Sequence, residues 1–135
     1  SLFVVPFIQK LLYHAMHKTN PATLLAYYSD QNFGRIVAVM KFVTDHFPDR
    51  ITVAQLAQHA GMSVTSLLRH FKAWTGGTPV EFIKVMRLSK ARLLLETNQG
   101  PVKLVAHQVG YESVSHFSRE YSRLFGHPPS HAPGG

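Results

Sequence analysis

Residues 78–98, TPVEFIKVMRLSKARLLLETN, read as one long helix, and the chain on its two sides says nearly the same thing twice. Gly61 corresponds to Gly110, Ala57 to Ala106 and Leu56 to Val105 at one constant offset. With one more residue after the glycine, Leu67 falls on Phe117, Arg69 on Arg119, Phe71 on Tyr121 and Gly76 on Gly126. Self-similarity at a fixed spacing marks a repeated structural unit. The fold expected is all-α, with two helix-turn-helix subdomains joined by a long linker helix.

The local signals agree. Thr52-Val53-Ala54-Gln55 is a capping box, in which the Thr hydroxyl takes the amide three residues on and the Gln side chain reaches back. The helix it opens runs to Ala60, with Val53, Leu56, Ala57 and Ala60 inward, and Gly61 ends it in a left-handed turn. Ser63 caps the next helix, which reaches about Thr75 with Leu67, Phe71 and Trp74 inward. Gly76-Gly77 stops it, and Thr78-Pro79-Val80-Glu81 forms a second capping box at the start of the linker. Beyond Pro101, Val102, Val105, Ala106 and Val109 face inward; Gly110 makes the turn and Ser113 caps a last helix to about Phe125, with Phe117, Tyr121 and Leu124 inward. The first unit thus spans about 52–75, the linker about 78–98 and the second unit about 101–125. On a helical wheel of the linker, Val80, Leu88, Ala91, Leu94 and Leu95 share one arc and Phe82, Met86 and Leu93 another. A helix apolar on two sides touches two bodies. Lys84, Arg87, Lys90 and Arg92 lie between the arcs and are open to phosphate contacts.

Upstream, Asn32 is placed to cap a helix over about Phe33–Phe47, with Ile36, Val39, Met40 and Val43 in a stripe; Pro48-Asp49 ends it. Helical spacing recurs over Pro6–His17 and again over Ala22–Tyr28. Residues 1–33 read as the helical tail of an upstream effector or dimerisation domain, and the chain, which begins at Ser1, as a piece of a longer protein. The tail HPPSHAPGG (127–135) reads as irregular, with 130–135 loose.

The 135 residues are 45% hydrophobic, carry no cysteine and have a formal net charge of +7. The composition is that of a folded domain, without disulfides or thiolate metal sites, in a reducing, cytoplasmic setting. No apolar run approaches the ~20 residues that span a bilayer. A basic excess points to a polyanion, nucleic acid first and an acidic membrane second, although charge alone also allows an inert basic surface.

Each unit leaves an outward face on its second helix. In the first this is Thr65, Ser66, Leu68, Arg69 and Lys72; in the second, Ser115, His116, Ser118, Arg119 and Arg123. Arg and Lys donate to guanine edges or phosphates, and Ser, Thr and His do either more weakly. The helix N-termini at Ser63 and Ser113 present amides suited to phosphate oxygens. A linker of about 19 residues at ~1.5 Å each is about 28 Å long. Major-groove faces on one side of a duplex recur every ~34 Å, so such a spacer can hold two recognition helices in successive turns.

These residues resemble the DNA-binding domain of AraC/XylS-type bacterial transcription regulators over residues 34–129. The carriers are TVAQLAQHAGMS (52–63), LLRHFK (67–72), RLSKARLLL (87–95) and, most specifically, VGYESVSHFSREYSRLFGHPP (109–129). The resemblance implies seven helices, a homeodomain-like pair of helix-turn-helix motifs, asymmetric double-stranded DNA sites and a bacterial regulator of transcription. It matches Thr65, Leu68 and Arg69, and Ser115, His116 and Arg119, to base-facing positions. RNA polymerase is a further partner it raises, and a small-molecule effector only through a missing N-terminal domain. No cofactor or metal is called for, and the fragment is compatible with a monomer. Two positions depart from the pattern: Leu68 is apolar where a polar reader often sits, and Ala132 stands where an aromatic is frequent.

Other readings are weaker. His14 and His17 lack a third metal ligand within reach by sequence. Phe71, Trp74, Phe117, Tyr121 and Phe125 have the spacing of core residues rather than base-stacking platforms. No nucleophile, base and orienter occur as a set, which argues against an enzyme. A helical module for an acidic protein partner, or a membrane-surface role for residues 2–16, are the competing functions.

Overall fold

The computed structural model describes residues 31–131, and among these the secondary structure is helical throughout. The elements are α1 (Gln31–His46), α2 (Val53–Ala60), α3 (Val64–Thr75), α4 (Pro79–Glu96), α5 (Val102–Gln108), α6 (Val114–Phe125) and a 3-10 turn at Pro129–His131. The helices expected over 6–17 and 22–28, the histidines 14 and 17, and Ala132 lie outside the described residues.

Two separate cores form. Ile36, Val39 and Val43 of α1 pack with Leu56, Ala57 and Ala60 of α2 and Leu67, Phe71 and Trp74 of α3. The second core joins Val105, Ala106, Val109 and Tyr111 to Phe117 and Tyr121 of α6. The small alanines of α2 and α5 let the following helix cross closely. The turn after α2 is closed by Gly61 at φ 67, with the amide of Met62 donating to the Ala57 carbonyl at 2.9 Å. The Thr52–Gln55 box is complete in both directions, at 3.1 and 2.9 Å.

The linker contributes to both cores, but not as two arcs running its whole length. Phe82, Ile83 and Met86, in its first half, enter the first core; Leu88, Ala91 and Leu95 enter the second, with Leu94 packed beside them. Val80 and Leu93, assigned to opposite arcs by the wheel, are 46% and 43% exposed. A wheel discards position along the axis. Val80 shares its wheel arc with residues of the second core but lies in the half of the helix that supplies the first, and Leu93 is the converse.

Other boundaries shift as well. α1 begins at Gln31, so Asn32 lies in its first turn rather than capping it, and Phe33 packs edge-on against Trp74 at 4.8 Å. A division after residue 33 therefore falls inside a helix of the first unit. The linker helix ends at Glu96, with Thr97 as its cap and Asn98 left-handed at φ 55. At its start the Thr78 hydroxyl accepts from the Glu81 amide at 3.1 Å, which is half of the expected box. The Glu81 carboxylate instead lies over Gly77, where a Cβ would come within 2.6 Å of Oε2. In α6 the inward row is Phe117, Tyr121 and Phe125, and Leu124 is 37% exposed. The tail is less irregular than its proline content suggests: Pro129 is buried and the 3-10 turn packs on α6.

Candidate nucleic-acid interface

α3 and α6 occupy equivalent places, each the second helix of its unit with one side sealed in a core. Thr65, Leu68, Arg69 and Lys72 are exposed on α3, with Ser66 half-buried; on α6, Ser115, His116, Arg119 and Arg123 are exposed, with Ser118 half-buried. Their three- and four-residue steps put them on one side of each helix. The two N-terminal serines are caps. Ser63 Oγ accepts from the Ser66 amide at 3.1 Å, and Ser113 Oγ from the His116 amide at 3.2 Å. The hydroxyls are thus occupied, while amides of the first turn stay turned toward solvent for an anion.

The two faces differ in their electrostatics. Among the described residues, Arg69, Lys72 and Arg119 make no salt bridge. Arg123 does, with Nη1 3.6 Å from the Glu120 carboxylate, and the same carboxylate lies 3.4 Å from His116 Nε2. Glu120 also reaches Lys84 Nζ on the linker at 3.6 Å, and its own side chain is only 12% exposed. The His116 ring further meets Tyr111 edge-on at 5.5 Å. Two of the five candidates on α6 are therefore positioned by an acid that composition and motif did not single out. The four-residue step from His116 and the three-residue step to Arg123 were the available signal; the reach to Lys84 was not legible.

The linker cations are mostly committed internally. Arg92 Nε donates to Glu96 Oε1 at 2.7 Å, and its guanidinium lies 4.9 Å from the centre of the Phe125 ring. Arg87 donates to the carbonyls of Phe47 and Asp49, at 2.6 and 2.8 Å, and burial lowers its pKa from the ordinary arginine value. Of the four expected phosphate donors, Lys90 is the one left exposed without a salt bridge among the described residues. An open groove of about 730 Å³ runs where the units meet, with Arg50, Arg87, His107 and His116 in its lining.

Phe71, Trp74, Phe117 and Tyr121 are buried, which removes them as stacking platforms. Burial, with the negative charge of Glu120 second, pushes the Tyr111 hydroxyl up to about 12. Among the described residues no group of three or more His, Asp or Glu is placed to hold a metal, and no helix is long and apolar enough to cross a membrane.

A family model described as a helix-turn-helix domain matches residues 56–132. The transcriptional activator Btr of Bacillus subtilis is 40% identical over 78 residues, which is 58% of this chain and 15% of Btr. A probable AraC family transcriptional regulator from Rhodopseudomonas palustris superposes with a TM-score of 0.68 at 28% identity, covering 73% of this chain and 94% of that one. The DNA-binding domain of the global transcriptional factor AdpA, solved in complex with a target DNA, superposes with a TM-score of 0.67 at 28% identity, over 70% of this chain and 86% of that one. The chain spans well under half the length of these curated relatives, among them RhaS of Escherichia coli.

Proposed function

The chain belongs to the AraC-type helix-turn-helix family, and from that premise we propose that it binds double-stranded DNA sequence-specifically as the DNA-reading part of a bacterial transcription regulator. The observation that carries the reading is the paired geometry: two exposed faces, with Arg69 and Arg119 at matching positions, each fixed on its own core and joined by one helix of 18 residues. At ~1.5 Å per residue that helix is about 27 Å long, suited to recognition helices in successive major-groove turns.

In this reading Arg69 and Arg119 contact base edges, aided by Thr65, Ser115 and His116, and Leu68 meets a thymine methyl. Lys72, Arg123, Ser66, Ser118 and the helix ends at Ser63 and Ser113 sit nearer the backbone and set register. The domain's work is binding rather than catalysis, carried out at the nucleoid. RNA polymerase is the partner a DNA-bound regulator meets there, and a small-molecule effector acts through a domain N-terminal to the described residues.

Selection of bound duplexes from a random pool tests the proposal. The expected result is a site of two unlike blocks about one helical turn, ~10 base pairs, apart. Enrichment of a single block, or of none, refutes it.

A further inference from the structure

Each helix-turn-helix unit is bound to its own half of α4, and no helix of the first unit packs extensively on α5 or α6. One helix passing between two otherwise separate bodies leaves their mutual twist weakly determined. The residues that cross the gap are few. Phe47 packs against both cores. Arg87 lies between the last linker residue of the first core, Met86, and the first of the second, Leu88.

Arg87 is built into that junction. Its Nε and Nη2 donate to the carbonyls of Phe47 and Asp49, which fixes the chain leaving α1 against the middle of α4. From the other side comes the turn of the second unit. Gly110, at φ 107, approaches so closely that a Cβ there would lie 2.7 Å from the Pro48 carbonyl oxygen and 3.0 Å from Arg87 Nε. The Tyr111 ring centre is 5.9 Å from the guanidinium carbon. A planar fork with donors on two edges can hold two carbonyls while its face meets an aromatic, which an ammonium cannot do.

We propose that Arg87 is a positioning residue that fixes the phase between α3 and α6, and so the spacing between DNA blocks that the domain accepts. It touches no base in this arrangement. The proposal rests on the two-groove reading above, since spacing has meaning only if both helices engage DNA.

Arg87→Met tests it, because it keeps the apolar stem and removes both donors. The chain has no cysteine, so spin labels at Gln58→Cys on α2 and Lys103→Cys on α5, both exposed, report the distance between units. The expected result in the 135-residue chain is a distance distribution visibly broader than in the protein with Arg87, at unchanged helical content. In parallel, affinity is measured on the selected site with its spacer lengthened or shortened by one base pair. One base pair displaces one block by about a tenth of a turn, enough to spoil a good base contact, so the protein with Arg87 loses roughly tenfold. Arg87→Met loses only about threefold, and Arg87→Lys falls between. If Arg87→Met loses its helical signal, Arg87→Lys carries the same comparison.

An unchanged distance width, or broadening with the spacing penalty intact, overturns the proposal while leaving the two-groove reading in place. A protein with Arg87 that is indifferent to spacer length overturns both.

Discussion

Replacing Glu120 by Gln should make the domain bind DNA in general more tightly and its own site less selectively. Glu120 holds Lys84, His116 and Arg123 at 3.6, 3.4 and 3.6 Å. Those partners are 42%, 51% and 74% exposed, so solvent screens each pair and each contributes only ~0.2–1 kcal/mol. Gln keeps the shape and one acceptor, and the cost to folding should be about 1 kcal/mol. That is a fall of about 4–8 °C in Tm for a domain of this size. On the proposed DNA-binding face one negative charge is lost, and up to one more cation becomes available to phosphate. The slope of log affinity against log salt should then steepen by up to ~0.9. Non-specific duplex should be held about two- to fivefold more tightly at low salt, a gain of ~0.5–1 kcal/mol. Loss of the acid also frees the His116 ring from its preset orientation, so the ratio of specific to non-specific affinity should fall. Fluorescence anisotropy titrations of a selected site and a scrambled duplex, from 50 to 200 mM salt, measure all three quantities. Equal weakening on both duplexes with an unchanged slope would show that Glu120 acts only on stability, and the electrostatic reasoning would fail.

Arg119→Ala should cost ~1–3 kcal/mol on the selected site and relax preference at one base position, read by repeating the selection with the variant; uniform weakening on every sequence would make Arg119 a phosphate contact. Tyr111→Phe concerns alkaline stability. Because the folded value of Tyr111 lies near 12, above the ordinary tyrosine value of 10.0, the unfolded chain releases this proton first. Stability is therefore present below pH 10 and lost as pH rises from 10 toward 12. The Phe variant should show a shallower loss across that window in urea melts, and an unchanged slope contradicts the assignment. Gly110→Ala should destabilise by more than ~1 kcal/mol, because a side chain there combines an unfavourable φ with a backbone carbonyl at 2.7 Å. A midpoint in urea equal to that of the parent chain would mean the turn relaxes freely.

Much of the fold was legible because its determinants are local. Caps at Thr52, Ser63, Thr78 and Ser113, turns at Gly61, Gly76 and Gly126, and core rows such as Leu67, Phe71 and Trp74 obey spacing rules within one helix. The repeat added the relation between units, and with it the candidate faces of α3 and α6. The errors fall where a residue's fate depends on what stands opposite. Leu124 and Leu93 have core-like spacing but stay 37% and 43% exposed, and Ile83 is buried because the first unit reaches it.

The same division applies to residues 78–98. Sequence alone determined that they form a capped helix between two copies of one unit, because propensity, capping and periodicity are carried by neighbours along the chain. Only the tertiary structure decided that the helix is shared end to end between the two cores. It also decided that Arg87 turns inward to the carbonyls of Phe47 and Asp49, and that Lys84 reaches across to Glu120. Those contacts join residues far apart in the chain, and no local pattern encodes which cation will find an acceptor across a gap and which will stay free for DNA.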